Sequence, residues 1–326
     1  MKRRAFALGL PAMAAAMSLA AYAQQPGRTY RIGALLGGGR EAMQRYRAAL
    51  VERLATHGFV EGRNLEIDAR GSTGVFHEDR EVAREFAAAK RDAIFACETR
   101  ATQAAQAATK AIPIVFAWVA EPVGSGIVKS YASPGGNITG VTNRFGELFV
   151  KRLELLRELL PKAKRVAVLH YAADSLYRDV VAPSLRKAAT QLDVELVEIG
   201  QAQWAAAIES AAKDGVEAVL PADTFVGTRI SGEQVVETTN RLRLPTVFAN
   251  SNMVEAGGLV SIGTNLENDI RRAGDLLARV LAGAKAGRQP VDLATQFELV
   301  LNLKTARNIG LAVSQSVYLR AHRVIE

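Results

Sequence analysis

The sequence predicts an α/β protein with two similar lobes, each a parallel sheet flanked by helices. Two observations support this prediction. Short apolar segments of strand length alternate with amphipathic segments of helix length from Tyr30 onward, which is the pattern of parallel strands connected by helices. The alternation also occurs twice, with strands of the same kind in the same order, and such self-similarity indicates a repeated structural unit.

The first half of the chain opens with an apolar segment and closes with another, "IPIVFAW". Strands are predicted at 30–36, 65–70, 92–97 and 112–118, and helices at about 41–57, 78–90 and 100–110. Several of these strands are apolar throughout, as expected when both faces of a parallel sheet are covered by helices.

The second half repeats this plan. Strands are predicted at 165–170, 194–200, 217–222 and 244–250, and helices at about 175–192, 203–214 and 231–242. The strands align at a nearly constant offset, which pairs Arg31 with Arg165, Leu65 with Val194, Ala93 with Ala218, and Pro113 with Pro245. Both halves are therefore expected to form parallel sheets.

The last part of the chain holds elements left over after two complete lobes. They are a helix from about Leu266 to Ala284 and a strand, "FELVLNL", at 297–303. Such elements predict crossovers between the lobes, and lobes joined by several strands can hinge without separating. We expect one lobe to comprise 24–142 plus about 264–290, and the other 143–263 plus about 291–326.

The N-terminus resembles a secretory signal peptide. A cationic start, "MKRRAF", precedes a short alanine-rich apolar core and the small-x-small motif "AYA", which ends at Ala23. A membrane anchor would need about 20 apolar residues. We therefore expect a periplasmic protein cleaved after Ala23. The pair Arg3-Arg4 leaves both the general and the twin-arginine export routes open.

Composition excludes several other classes of protein. The formal net charge is +8, of which Lys2, Arg3 and Arg4 contribute three charges, and no basic stripe interleaved with aromatic residues suggests nucleic-acid binding. Cys97 is the only cysteine and ends the apolar segment "DAIFAC". An internal disulfide is thus impossible, and a buried, unreactive thiol is expected.

Polar and aromatic side chains follow the predicted strands at their carboxyl ends, where open parallel sheets bind ligands. In the first half they are Gly38, Glu98, Thr99, Arg100, Trp118 and Glu121. In the second half they are His170, Tyr171, Asp223, Thr224 and Asn250.

Each of these residues has an alternative structural role. Glu98 and Asp223 occupy corresponding places after the third strand of each half, where a carboxylate could face a ligand ammonium or cap the next helix. For Thr99 we expect a helix N-cap. Trp118 and Tyr171 could stack on a ligand ring or pack in the core.

The motifs that carry catalysis or hold a cofactor are missing from the sequence. The glycines around Gly38 lack the spacing of a dinucleotide or phosphate loop, and Ser125 lacks the nucleophile-elbow spacing. His170 alone among the histidines ends a strand, and no pair has metal-ligand spacing. We expect no catalytic residue, no metal and no cofactor, and we expect His170 to line the cleft as a hydrogen-bond donor.

Six motifs together resemble a known family. They are "HGFVEGRNLEID", "IPIVFAWVAEPVGSGIV", "SPGGNITGVTN", "KRLELLRELLPKAKRVAVL", "VEAGGLVSIGTN" and "FELVLNLKTARNIGL". The chain resembles the periplasmic substrate-binding proteins of the tryptophan/tyrosine ABC-transporter type. The resemblance implies the type I periplasmic binding fold. It also implies a monomer that captures an amino acid or related small ligand and delivers it to an inner-membrane permease and its ATPase.

The resemblance also implies positions for ligand contacts. By position these are Thr99, Trp118, Glu121, Thr139, Asn143, Asp223 and Asn250. Two departures concern the identity of the ligand. Ile262 stands where many relatives carry tyrosine, and Arg100 lies in "CETRA" where relatives are often neutral, which could favour a carboxylate or dicarboxylate.

An alternative function uses the same fold. An exported α/β enzyme or a ligand-sensing partner could reuse these two lobes, because a fold does not by itself fix a function. A binding protein returns its ligand unchanged, whereas an enzyme converts it.

We predict that the exported protein begins at Gln24, because the charged start, apolar core and "AYA" motif direct cleavage after Ala23. Intact mass spectrometry of material released from the periplasm measures the N-terminus directly. A full-length mass would contradict the prediction, and replacing Ala21 and Ala23 by bulky residues should block processing.

Overall fold

The computed structural model describes residues 27–37, 39–72, 76–170, 177–200, 203–222, 229–294 and 296–326. The strands are β1 (Tyr30–Leu36), β2 (Leu65–Gly71), β3 (Ala93–Cys97), β4 (Ile114–Val119), β5 (Ile138–Thr142), β6 (Arg165–His170), β7 (Glu195–Gly200), β8 (Ala218–Pro221), β9 (Val247–Phe248), β10 (Val260–Thr264), β11 (Asp292–Leu293), β12 (Phe297–Asn302) and β13 (Arg323–Ile325).

Helices alternate with these strands. They are α1 (Gly39–Thr56), α2 (Phe76–Ala88), α3 (Thr99–Ala108), α4 (Phe145–Leu159), α5 (Ala182–Gln191), α6 (Trp204–Lys213), α7 (Arg229–Arg241), α8 (Ser251–Glu255), α9 (Leu266–Leu281), α10 (Leu303–Ile309) and α11 (Gln315–Arg320). A π-helical turn, Tyr177–Val181, leads into α5. Within the described ranges, the helices are too short or too polar to cross a bilayer.

The two lobes share one strand order, as the sequence repeat predicts. The first sheet has the order β2-β1-β3-β4-β5, with β11 beyond β5, and its neighbouring strands are all parallel. In the second lobe, β7-β6-β8 is linked by an isolated bridge between Val219 and Thr246 to β9-β10-β12-β13. The α/β class with two similar lobes is therefore confirmed.

The repeat extends to side-chain pairs on the first two strands of each lobe. Arg31 of β1 lies opposite Glu66 of β2, and their side chains approach to 3.3 Å. Arg165 of β6 lies opposite Glu195 of β7 in the same way, at 3.0 Å. Because these pairs are exposed, they contribute little stability, but they show that the register of the two lobes is equivalent.

Both faces of each sheet are buried. On β3, Ala93, Phe95 and Cys97 belong to the cluster on the face covered by α1 and α9. The alternate residues Ile94 and Ala96 belong to the cluster on the opposite face. Strands of the second lobe divide in the same way between two further clusters. This explains why β3 and β4 are apolar along their whole length.

The chain passes between the lobes three times: after β5, after β10, and between Ala294 and Phe297. Helix α9 returns to the first lobe, where its buried residues join the cluster on the α1 face of the first sheet. Asp292 and Leu293 still pair with β5, so the first sheet extends slightly beyond the predicted limit at about 290. The domain limits otherwise remain a prediction.

Three features of the fold differ from the sequence-based prediction. The second sheet is not wholly parallel, because β10 and β12 are antiparallel. The strand predicted at 244–250 is reduced to Val247–Phe248. Strands β5 and β10 and helix α4 were not predicted, since "NITGVT" and "VSIGT" are rich in the polar and glycine residues that usually indicate turns.

We predict that Gly140→Ala destabilises the first sheet. A Cβ at Gly140 of β5 would lie 2.2 Å from the backbone oxygen of Phe116 on β4, so the strands must separate, at a cost of about 1–3 kcal/mol. Gly71→Ala is the matched control, because its nearest contact would be Met43 at 3.8 Å. Urea unfolding of both variants measures the difference, and equal midpoints would contradict the prediction.

Candidate ligand-binding cleft

A cavity of about 170 Å3 lies between the two lobes, beside the crossovers. From the first lobe it is lined by Arg45 and Tyr46 of α1, by Glu98 and Trp118 after β3 and on β4, and by Leu266 and Glu267 of α9. From the second lobe and the crossover it is lined by Ala249, Asn250, Ser251, Asn252, Ser261, Gly263, Thr264, Asn265, Glu298 and Val300. Of the predicted site residues, the cavity brings together Glu98, Trp118 and Asn250.

Glu98 directs its carboxylate toward the backbone at the end of β1. A Cβ at Gly37 would lie 2.3 Å from Glu98 Oε1, so glycine at this position makes room for the carboxylate. Burial, assisted by the nearby Asp79 carboxylate, raises the pKa of Glu98 to about 8. A buried carboxyl group of this kind stabilises a positive charge brought next to it.

Trp118 holds an unusual backbone conformation at the end of β4. Its φ is 59°, and the pairing of β4 with β5 shifts register between Phe116 and Val119. A bulky residue with positive φ is strained. The indole packs partly against the α1 face of the core, and its Nε1–H donates to Thr264 Oγ1 at 3.1 Å. Packing and this hydrogen bond hold the ring at the cavity.

Two amide oxygens near the crossovers are buried without a hydrogen-bond partner among the described residues. Asn250 Oδ1 is one of them, and Asn250 precedes α8 without capping it through its side chain. Asn143 Oδ1, at the first crossover, is the other. Unsatisfied buried acceptors are costly in a folded protein, so both oxygens are suited to accept from a bound molecule. Asn143 does not line the described cavity.

Acidic groups outnumber basic ones at the cavity wall. Glu267 lies 3.4 Å from Arg45 in a half-exposed pair. Glu298 accepts from Asn265 Nδ2 at 2.8 Å, while the Oδ1 of Asn265 caps α9 by accepting from the Asn268 N–H. The lining therefore favours a ligand that brings hydrogen-bond donors or a positive charge.

Glu121, predicted to contact the ligand, has two hydrogen-bond partners within the protein and does not line the described cavity. Its Oε1 accepts from the backbone N–H of Gly146 in the first turn of α4, at 3.2 Å, and its Oε2 accepts from Tyr131 Oη at 3.3 Å. A carboxylate at a helix N-terminus is favoured by the free N–H groups there. Glu121 thus connects the first lobe to the first helix of the second.

Thr99 and Thr139 also have structural partners. The N-cap of α3 is Glu98 rather than Thr99, so that the predicted capping role of Thr99 is wrong. The Thr99 hydroxyl instead accepts from the Ala120 N–H at 3.1 Å. Thr139 is buried in β5 and donates to the backbone oxygen of Gln289 at 2.8 Å.

Arg100 and His170 lie outside the cavity lining. Arg100 is exposed in the first turn of α3, and its role in selecting a carboxylate stays a prediction. His170 stacks on Tyr177, with ring centroids 4.2 Å apart, and its Nε2 lies 3.8 Å from Glu198. His170 ends β6 as predicted, but the residues that it contacts here, Tyr177 and Glu198, are both in the second lobe.

Four predicted site residues fall outside the described residues: Gly38, Tyr171, Asp223 and Thr224. The lining given above is that of the described part of the chain. Within that part, no group of three or more histidine, cysteine or acidic side chains could hold a metal ion.

Sequence reasoning did not find Tyr46, Thr264 or Glu298 as cavity residues. Tyr46 lies within a helix and Glu298 is the second residue of a strand, so neither follows a strand at its carboxyl end. Thr264 does end a strand, β10, but that strand was not predicted. Recognising "GLVSIGTN" as a strand ending in polar residues is the signal that could have found Thr264.

Comparison with known proteins identifies what the chain is similar to. A family model described as "ABC transporter substrate binding protein" matches residues 39–325. A tyrosine-binding protein of Clostridioides difficile (strain R20291) is 28% identical over 274 residues, which cover 83% of this chain and 78% of that protein.

Two solved structures have the same fold. One is an ABC domain from Streptococcus pneumoniae in complex with L-Trp, with a TM-score of 0.81 and 24% identity, covering 91% of this chain and 100% of that one. The other is a ligand-free, open substrate-binding protein with adhesive properties from Clostridium difficile. Its TM-score is 0.72 at 25% identity, covering 91% of this chain and 99% of that one.

We predict that Glu98→Gln stabilises the ligand-free protein at high pH. Because the pKa of Glu98 is raised to about 8, the native state binds more protons than the unfolded state between about pH 4.5 and 8. Wild-type stability is therefore lost across this window as the pH rises. The free energy of unfolding of the variant should exceed that of wild type by on the order of 1–3 kcal/mol at pH 9 and should equal it at pH 4.5.

Urea unfolding at several pH values measures this difference. Glu81→Gln is the control, because Glu81 is exposed on α2 and its replacement should leave the pH profile of wild type unchanged. If the Glu98→Gln profile runs parallel to that of wild type from pH 4.5 to 9, the carboxyl group is not buried as described.

Proposed function

The chain belongs to the ABC transporter substrate-binding proteins, and from this premise we propose that its ligand is an α-amino acid with an aromatic side chain. Proteins of this family bind small solutes for an ABC permease. The observation that supports the proposal is the cavity between the lobes, whose lining includes a buried carboxyl group, an indole and an amide whose oxygen has no partner among the residues that the structure describes.

The ligand ammonium is assigned to Glu98 and Asn250. Both residues line the cavity, and the Oδ1 of Asn250 has no hydrogen-bond partner among the described residues. An ammonium group has three donors and a positive charge. It therefore satisfies the amide and compensates the carboxylate whose ionisation burial opposes. Asp223, outside the described residues, remains a second candidate for this role.

The ligand ring is assigned to Trp118 and Tyr46. Both line the cavity, and aromatic pairs favour offset-stacked or edge-to-face contacts. The similarity to a tyrosine-binding protein supports an aromatic side chain. A dicarboxylate is disfavoured, because the described part of the lining contains Glu98, Glu267 and Glu298 against one arginine, Arg45, which is already paired with Glu267.

Several finer features belong to the same proposal. The protein acts in the periplasm after cleavage following Ala23, as a monomer, and delivers its ligand to a membrane permease driven by an ATPase. It closes around the ligand by movement at the three crossovers and does not convert it. Since the family is not a class of enzymes, we prefer this function to an exported α/β enzyme of the same fold.

We predict that tyrosine, tryptophan or phenylalanine raises the melting temperature of the mature protein, while glutamate and succinate do not. A ligand at 100 times its dissociation constant stabilises a folded protein by about 2.7 kcal/mol if it binds only the native state. An analogue without the ammonium, 3-(4-hydroxyphenyl)propionate, should not bind. Recovering the ligand unchanged after long incubation supports a binding protein, and its conversion supports the enzyme.

Calorimetric titration then tests the assignment of Glu98. Glu98→Gln should weaken amino-acid binding roughly ten- to a hundredfold, since hydrogen bonds to charged groups contribute about 1.5–3 kcal/mol. Glu81→Gln, on the exposed face of α2, should bind as wild type does. If wild type binds an aromatic amino acid and Glu98→Gln binds it equally well, the ammonium partner lies elsewhere, with Asp223 the next candidate.

A further inference from the structure

Ion pairs connect helices α1 and α9 of the first lobe both at the cavity and away from it. Away from the cavity, Arg53 donates two hydrogen bonds to the Asp275 carboxylate, of 2.6 and 2.9 Å. At the cavity, Arg45 and Glu267 approach only to 3.4 Å, and their side chains are 50% and 37% exposed. An exposed pair without close, two-fold hydrogen bonding contributes little to stability. The pair at the cavity is therefore the weaker of the two.

Apolar packing also holds these two helices together. Leu50 of α1 and Ile270 of α9 are buried in the same apolar cluster. Gly274 of α9 allows a close approach, since a Cβ at this position would lie 3.1 Å from the side chain of Arg53. We therefore expect the helices to stay in place when the ion pair at the cavity is broken.

The charged groups at this end of the cavity lie around the hydroxyl of Tyr46. Burial is the main cause that raises the pKa of this hydroxyl, and Cys97 and Glu98 raise it further. Arg45 lowers the same pKa, and Glu267 raises it. Charge interactions weaken with distance, so the carboxylate of Glu98 and the guanidinium of Arg45 both lie near one phenol. Both residues also line the cavity.

We propose that Arg45 is a specificity-determining residue that binds the α-carboxylate of the ligand, and that the ligand carboxylate takes the place of Glu267. The inference rests on the proposed function and deepens it. In the proposed function the ammonium and the ring of the amino acid have partners, whereas its carboxylate has none. Among the described residues of the lining, Arg45 is the one with a positive charge.

Exchange of one carboxylate for another keeps the charge of Arg45 balanced. A guanidinium presents its N–H donors in a fork that matches a carboxylate, so the ligand replaces a long contact with closer hydrogen bonds. Glu267 lies in the first turn of α9, where the helix dipole favours a carboxylate without a cation beside it. Water also reaches Glu267, which lowers the cost of separating the pair.

This exchange makes the cavity selective for a zwitterion with one carboxylate. The ammonium and the carboxylate of an α-amino acid are bonded to the same carbon, so their partners must be neighbours, as Glu98 and Arg45 are. An amine without a carboxylate has no group to replace Glu267. A dicarboxylate brings a second carboxylate, for which the described part of the lining has no further cation.

Calorimetric titration of tyrosine, and of tyramine, which lacks the carboxylate, tests the contact. Arg45→Gln should weaken tyrosine binding roughly five- to thirtyfold, as expected for hydrogen bonds to a half-exposed charged group, and should not weaken tyramine binding. Arg45→Lys keeps the charge without the fork and should retain part of the affinity. Arg47→Gln is the matched control and should bind both as wild type does, because Arg47 pairs with Glu61 outside the described lining.

Glu267→Gln provides a test of opposite sign. Removing the competing carboxylate frees Arg45, so tyrosine binding should strengthen by about two- to fivefold, the contribution of an exposed ion pair. Damage to the site would instead weaken binding. Weaker tyrosine binding by Glu267→Gln would overturn the exchange, and equal binding by Arg45→Gln and wild type would overturn the role of Arg45.

Melting temperatures without ligand separate this role from a structural one. Arg45→Gln should change the melting temperature by less than about 2 °C, whereas Arg53→Gln, which removes the closer ion pair, should lower it further. An equal loss of stability in the two variants would overturn the inference. If wild type binds none of tyrosine, tryptophan and phenylalanine, the proposed function fails and this inference fails with it. If wild type binds tyrosine and Arg45→Gln binds it equally well, the inference alone fails.

Discussion

Burial of both faces of each sheet is the constraint on which the rest of the structure depends. Helices cover the two sides of β3 and β4, so that every side chain along these strands packs in one of two apolar clusters. A polar group cannot be accommodated there without a partner. On β3 and β4, polar residues are therefore confined to the positions that follow the apolar segment, and the three crossovers bring the strand ends of both lobes to one place. The cavity forms where the fold leaves room for hydrogen-bonding groups.

Strained backbone conformations and a buried carboxyl group also occur at these strand ends. Seven residues other than glycine have positive φ in the described part of the chain. Lys90, Asp193 and Arg243 lie just after helices, where this conformation ends a helix at little cost. The remaining four, at Glu98, Trp118, Glu121 and Arg144, lie at the ends of β3 and β4 or at the first crossover. Strain of about 1–3 kcal/mol each persists only where the surroundings enforce it, and it coincides here with the buried Glu98 carboxyl group.

The sequence predicts those elements and site residues whose positions depend on the apolar pattern, and it misses those whose positions depend on contacts between distant segments. Strands such as "RVAVLH" were predicted with the observed limits, because apolar periodicity reports burial on two faces directly. Glu98, Trp118 and Asn250 were found because position at a strand end is readable from the same pattern. Thr264 was missed because β10, the strand that it ends, was not predicted. The hydrogen bond of Glu121 to the first turn of α4 could not be predicted, because that contact is known only once the lobes are assembled.

The duplicated plan also explains why the two sides of the cavity differ chemically. Ile114 pairs with β3 as Thr246 pairs with β8, and four residues further on in each lobe the chain reaches Trp118 and Asn250. These two positions are equivalent in the repeat, and both line the cavity. Trp118 has an aromatic ring, and Asn250 has an amide oxygen without a hydrogen-bond partner in the described part of the chain. The repeated plan thus accounts for the shared position of the two residues, and their different side chains are the basis of the proposal that a ligand with both a ring and hydrogen-bond donors fits between them.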